Sequence, residues 1–156
     1  MNWEAIGAVG EVVGAVAVVG TLAYLAVQIR AQARDAKLAA VQTLTSNIME
    51  AYSGLMEPQL ADVWVRGGKD FDSLAEAEKI QLVGFLHKYF RVVEAAYYQA
   101  AAGGLAEPIW MGIVRHTGTL LSTSAATRIW AMRKHSYSDE FQDFVDGIEP
   151  GKYLFE

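Results

Sequence analysis

Four residues in the second half of the chain, His87, Arg91, Glu94 and Tyr98, fall at spacings that put a base, a cation, an acid and a phenol on one helical face. In a catalytic reading, His87 is a proton shuttle and Glu94 its orienting partner or a metal ligand. In a structural reading, Arg91 and Glu94 pair at i, i+3 and join Tyr98 through hydrogen bonds as a satisfied polar patch. The structural reading is preferred, because this helix carries no second His or carboxylate at a recognised metal spacing. His116 and His135 stand alone, outside any H-E-x-x-H or Glu-x-x-His motif. Gly67-Gly68-Lys69 lacks Walker spacing, Gly103-Gly104 has no following Lys-Ser/Thr, and Ser53, Ser122 and Ser124 lack the context of a nucleophile elbow. The chain has no cysteine, which removes disulfides, thiol chemistry and Cys-rich metal sites. Trp64, Trp110 and Trp130 with Tyr89, Tyr97 and Tyr98 are read as core rather than as a cofactor pocket. The expectation is therefore no enzyme, no catalytic residue, no metal and no cofactor.

A second constellation lies near the N-terminus. Ala5 to Val27 is an apolar run with Glu11 as its single charge, long enough to cross a hydrocarbon core that takes roughly 20 helical residues. Counting only Val12 to Ile29 still gives a helix of about 27 Å. At seven-residue spacing Gly7, Gly14, Thr21 and Gln28 form a stripe, flanked by Gly10 and Ala17 on one side and by Glu4 and Glu11 on the other. Val18 and Leu25 border it, so the stripe is not purely small and polar. Membrane helices associate through close approach at small residues, and Gly10-Glu11-Val12-Val13-Gly14 is a GxxxG. Gly7, Gly10, Gly14, Ala17 and Thr21 are the expected helix-packing residues. Glu4, Glu11 and Gln28 are the candidate pore or ion-lining residues, since carboxylates turned inward in an oligomer form rings that favour cations. Two plainer readings stay open for Glu11: a headgroup-level position that marks where the span begins, or a place in the helix interface.

The elements that position these residues follow from periodicity. A buried core helix is disfavoured for the N-terminal run, because a domain of this size has little room to enclose an all-round apolar helix. A cleaved signal peptide is disfavoured too, despite the small-residue box Ala31-Gln32-Ala33, because no Lys or Arg precedes the run and the run is too long. Arg30, Arg34 and Lys37 follow the span closely, so the positive-inside rule places the N-terminus outside and the remainder in the cytoplasm. These three can meet anionic headgroups, though they are fewer than a dedicated lipid-recognition cluster carries.

Beyond the span, Leu38, Val41, Leu44 or Thr45, Ile48, Tyr52 and Leu55 continue a helical period with no Pro or Gly between Thr21 and Ser53. One helix is expected to run from the membrane to Glu57-Pro58. A short helix over Pro58 to Arg66 should stop at Gly67-Gly68. Ser73-Leu74-Ala75-Glu76 matches a capping box and should open the longest soluble helix, with Ile80, Val83, Leu86, Phe90, Val93 and Tyr97 on one face and its end at Gly103-Gly104. Further helices are expected from Glu107-Pro108 to about Leu121, from a Ser124 cap to Lys134, and from a Ser138 cap over Asp139 to Gly147. No run alternates at period two.

The fold expectation is all-α: a transmembrane helix, residues 1–30, continuing into a cytoplasmic helical bundle, residues 31–156. With 156 residues and a formal charge of −5, the chain is unsuited to a nucleic-acid backbone, and no nucleic-acid partner is expected.

The stretch N-W-E-A-I-G-A-V-G-E-V-V-G-A-V-A-V-V-G-T-L-A-Y-L-A-V-Q-I-R, with K-Y-F-R-V-V-E-A-A-Y-Y-Q later, resembles a widespread group of uncharacterised bacterial single-span membrane proteins with a cytoplasmic helical domain. The resemblance covers most of the chain. It implies that Glu11, Arg91 and Glu94 lie in recurring motifs and assigns them no role. The resulting expectation is a non-enzymatic protein of the bacterial inner membrane. Its partners would be membrane lipid and either further copies of itself or the subunits of a larger membrane complex. The alternative is a homo-oligomeric cation channel lined by Glu4 and Glu11.

Overall fold

A computed structural model describes residues 3–152, and all of their regular structure is helical. Helix α1 runs over Trp3–Ser53, α2 over Pro58–Lys69, α3 over Glu76–Ala101, α4 over Glu107–Leu121, α5 over Ser124–Arg133 and α6 over Asp139–Asp146. Single 3₁₀ turns at Gly54–Met56 and Lys134–Ser136 join α1 to α2 and lead from α5 towards α6. By its internal contacts the chain divides into two units, Met1–Ala39 and Ala40–Glu156. The line drawn from sequence at residue 30 marks the end of the apolar run, whereas the packing boundary falls nine residues later.

The first unit is the N-terminal part of α1. From Gly7 to Ala39 every residue whose side chain is described is exposed, including Val9, Val16, Leu22 and Ile29. Glu4 and Val12 lie on the helix, but their side chains fall outside those described. This segment is long and apolar enough to cross a membrane, and none of its most apolar window is buried.

The second unit packs around α3, which contacts α2, α4 and α5. Its core includes Leu44 from α1, Trp64 from α2, Leu82, Leu86, Tyr89, Phe90 and Val93 from α3, Ile129 from α5, and Phe141 and Val145 from α6. Val41, Ile48, Tyr52 and Leu55 pack against that core as the periodicity predicted, but Leu38, the first residue of the predicted series, is exposed. The predicted face of α3 is largely the one that packs, with Leu86, Phe90 and Val93 buried and Val83 and Tyr97 against the core. Leu82, Phe85 and Tyr89 are buried, while Ile80 is 65% exposed. Helix α3 buries a wider arc than a single stripe, so periodicity marked the packed side but not its full width.

Four predicted boundaries are corrected. Helix α1 stops at Ser53 rather than near Pro58, because Gly54, a poor helix former, gives way to a 3₁₀ turn that delivers Pro58 to the first turn of α2. Helix α2 does not stop at Gly67-Gly68 but continues to Lys69. Gly67 is buried there, and a Cβ on it would lie 2.6 Å from a Leu82 methyl and 2.7 Å from a Leu74 methyl. Its lack of a side chain allows close packing rather than ending the helix.

The Ser73 capping box does not form. Ser73 donates to the Asp70 carbonyl at 2.8 Å within a tight turn, α3 begins at Glu76, and the Glu78 carboxylate accepts the Ala75 N–H at 2.9 Å. The cap of α5 is Thr123 rather than Ser124. The Thr123 hydroxyl accepts the Ala126 N–H at 3.3 Å, while Ser124 Oγ accepts the Phe71 N–H at 3.2 Å. The cap at Ser138 precedes α6 as expected, without a side-chain hydrogen bond to the helix.

After α6 the chain turns back along α4. The Gly151 N–H donates to the Gly118 carbonyl at 2.9 Å, and a Cβ on Gly118 would lie 2.7 Å from the Glu149 carbonyl oxygen. Glycine at 118 is thus what lets this segment lie against the helix.

Candidate functional site

On α3, residues 87, 91, 94 and 98 share a face, and the structure brings the stretch 136–138 across it. Arg91 bonds Glu94 Oε2 through Nη1 at 2.8 Å and the Ser136 carbonyl through Nη2 at 2.7 Å. Glu94 Oε1 accepts both the Ser138 N–H at 3.0 Å and the Ser138 hydroxyl at 3.1 Å. Tyr98 donates to Ser138 Oγ at 2.7 Å. One turn earlier, the Tyr137 hydroxyl meets His87 Nδ1 at 2.9 Å, and the Arg91 guanidinium lies 4.6 Å from the centre of the Tyr137 ring. The four sequence-selected residues therefore all bond the segment that leads into α6.

The electrostatics follow from this arrangement. Burial opposes the Glu94 charge, but the Ser138 N–H, the Arg91 guanidinium and the Ser138 hydroxyl outweigh it and hold the carboxyl below its usual range. His87 is pushed down by burial first and then by Arg91 and Arg133, with Glu94 acting against them. The Tyr137 phenol is pushed up to about 12, mainly by burial. Tyr137 therefore keeps its proton, and the neutral form of His87 is favoured. Glu94 is ionised, with both oxygens engaged. Such a set joins two segments through charge-assisted hydrogen bonds. Among the described residues, no group of three His, Asp or Glu side chains is placed to hold a metal ion.

Two further polar links within the second unit escaped sequence reasoning. The Tyr52 hydroxyl meets His116 Nε2, joining the end of α1 to α4, with both rings beside Tyr89. Burial lowers the His116 pKa. Inside the core, the Tyr89 hydroxyl and Thr117 Oγ1 share a 2.9 Å hydrogen bond, and Thr117 also donates to the Ile113 carbonyl. Tyr52 and His116 are 64 positions apart, so no local spacing could announce their pairing. The aromatic residues of the second unit otherwise largely fill its core: Trp64, Trp130 and Tyr89 are buried, and the rings of Tyr97 and Trp110 lie tilted against Phe144. Of the six aromatic residues singled out from sequence, Tyr98 is exposed.

The N-terminal stripe is positioned by one helix alone. A Cβ on Gly7, Gly10 or Gly14 would meet nothing within 4 Å, so open space lies over all three glycines. Ala17, Thr21 and Gln28 are exposed, and the Thr21 hydroxyl donates back to the Ala17 carbonyl at 2.9 Å, which satisfies it within the helix. Glu11 is exposed. The Glu4 side chain, the other half of the predicted acidic pair, lies outside those described.

Comparison with protein-family models, with curated proteins and with solved structures found no match.

Proposed function

We propose that this is a non-enzymatic, single-pass protein of the bacterial inner membrane, with its N-terminus outside and its second unit in the cytoplasm. It assembles through the Gly/Glu face of the span and through the helical unit, either as a homo-oligomer or as an accessory subunit of a larger membrane complex. The observation that carries this reading is the complete exposure of the described apolar side chains from Gly7 to Ala39 beside a second unit that closes a core of its own. Such a surface is costly in water and favourable in lipid. The open space over Gly7, Gly10 and Gly14 supports the assembly part, since close backbone approach is what small residues allow between membrane helices. The commitment of His87, Arg91, Glu94 and Tyr98 to the 136–138 segment supports a structural role for that cluster.

The decisive measurement is the mass of the detergent-solubilised protein, alone and with whatever co-purifies. An oligomer or a stable complex is expected, and Gly14→Leu should shift it towards monomer. A wild-type monomer without a partner refutes the assembly reading, and a protein that stays in aqueous solution without amphiphile refutes the membrane reading.

The second reading, a homo-oligomeric cation channel lined by Glu4 and Glu11, rests on the exposed Glu11 carboxylate within the apolar run. Cation flux into liposomes that falls in Glu11→Gln supports it. Absent flux, or flux unchanged by that substitution, removes it.

A further inference from the structure

The span is followed by a charged face. Arg30, Arg34 and Lys37 stand at i, i+4 and i+7, so they share one side of α1. Together with Ala33 and Leu38 they line a shallow depression of about 370 Å³. Asp35 is the only acid between Glu11 and Glu50. It sits one position from Arg34 and two from Lys37, spacings that do not face each other on a helix. Among the described residues, none of the three cations is engaged in a salt bridge, and the ion pairs that form lie between Glu50 and Asp146. Three of the chain's 13 basic residues are thus gathered, unneutralised, on one face of a protein with a net charge of −5.

The position of this face decides what it suits. It begins one residue after Ile29, the end of the apolar run, and extends about 10 Å along the axis, enough to cross the roughly 5–8 Å headgroup layer on one side of a bilayer. Ala33 leaves space between the three long side chains, and Leu38 adds an apolar wall. We infer that Arg30, Arg34 and Lys37 form a docking face for the phosphate of anionic phospholipid headgroups in the leaflet where the span ends. The flexible stems of these residues lie along the apolar boundary while the charged heads reach the phosphates, and Arg30 and Arg34 can each engage phosphate oxygens in a bidentate manner. The inference rests on the membrane reading above and deepens it by naming the lipid chemistry.

The test uses the full-length protein in liposomes of phosphatidylcholine, with and without phosphatidylglycerol, and reads the preference of spin-labelled phosphatidylglycerol over spin-labelled phosphatidylcholine for the protein boundary. Wild type should prefer the anionic lipid by roughly five-fold or more, and the preference should shrink when salt is raised to about 1 M, where screening is short-ranged. The triple variant R30Q/R34Q/K37Q should lose the preference, while R34K keeps most of it. All three side chains are exposed, so the helix content seen by circular dichroism should not change. Equal boundary preference in wild type and triple variant overturns the inference. So does displacement of the anionic lipid by inorganic phosphate beyond the effect of chloride at equal ionic strength, which would mark a site for the free anion. If wild type floats with liposomes of both compositions yet shows no preference, only this inference fails. If it floats with neither, the membrane reading itself fails.

Discussion

Val16 and Val19 are 67% and 66% exposed, while Val93 and Val145, the same residue type on the same kind of backbone, are 1% and 2% exposed. The two regions also use glycine in opposite ways. Gly10 and Gly14 look onto open space, whereas Gly67 and Gly118 are pressed against Leu82 and the Glu149 carbonyl. Polar groups divide likewise, for Thr21 turns back on its own helix while Thr117 is tied to Tyr89 across the core. In these examples from the second unit each feature is answered by a neighbour within the same chain. In the first, the helix satisfies its own backbone and leaves its described side chains exposed.

The largest test of that contrast is truncation of matched apolar residues. Phe141→Ala, at a fully buried ring, should cost about 3–5 kcal/mol in denaturant unfolding followed by tryptophan fluorescence. Val16→Ala should leave the same transition within about 0.5 kcal/mol. A comparable loss from Val16→Ala would mean that the N-terminal helix shares the core.

Next in size are the glycines. Gly67→Ala should destabilise the second unit by about 1–3 kcal/mol, because two leucine methyls must move. Gly10→Ala should not alter that stability, so a drop in its unfolding midpoint would contradict the open space described over Gly10.

Glu94→Gln comes third, with an expected loss of about 1.5 kcal/mol at neutral pH from weakened charge-assisted bonds to Arg91 and Ser138. Because the folded state holds Glu94 below its ordinary value near 4.5, its contribution is fully present above that pH and is lost as pH falls through the lower folded value. Urea titrations from pH 6 to pH 3 should therefore show a shallower decline in the variant than in wild type.

Two histidines act at higher pH. His116 and His87 are both lowered from 6.5, so below that pH the unfolded chain binds more protons and stability falls as the solution is acidified. His116→Phe should flatten part of the slope between pH 7.5 and 5.5, and an unchanged slope would show that His116 does not contribute to it. Smallest of all, Arg128→Gln removes an exposed pair with Asp72 and should change stability by no more than about 0.5 kcal/mol.

The helical class of the molecule and the apolar character of residues 5–29 were legible from local order: apolar runs, 3.6-residue spacing and the positions of Pro and Gly act over a few turns at most. Helices α4 and α6 begin where Pro108 and Ser138 signalled. The shared face of His87, Arg91, Glu94 and Tyr98 was equally visible, since it depends only on helix geometry. What that face meets was not visible. Ser136 and Ser138 lie more than 40 positions away, and only the packing of the segment before α6 brings them to Arg91 and Glu94. The same holds for Tyr52 with His116 and for the glycine at 67, which resembles a helix stop until Leu74 and Leu82 are seen to fill its space. Sequence alone determined which segments coil and which run is long and apolar enough to cross a membrane, because those follow from backbone propensity and transfer energy residue by residue. The tertiary structure decided which polar groups are answered and which glycines are indispensable, because both depend on neighbours distant along the chain.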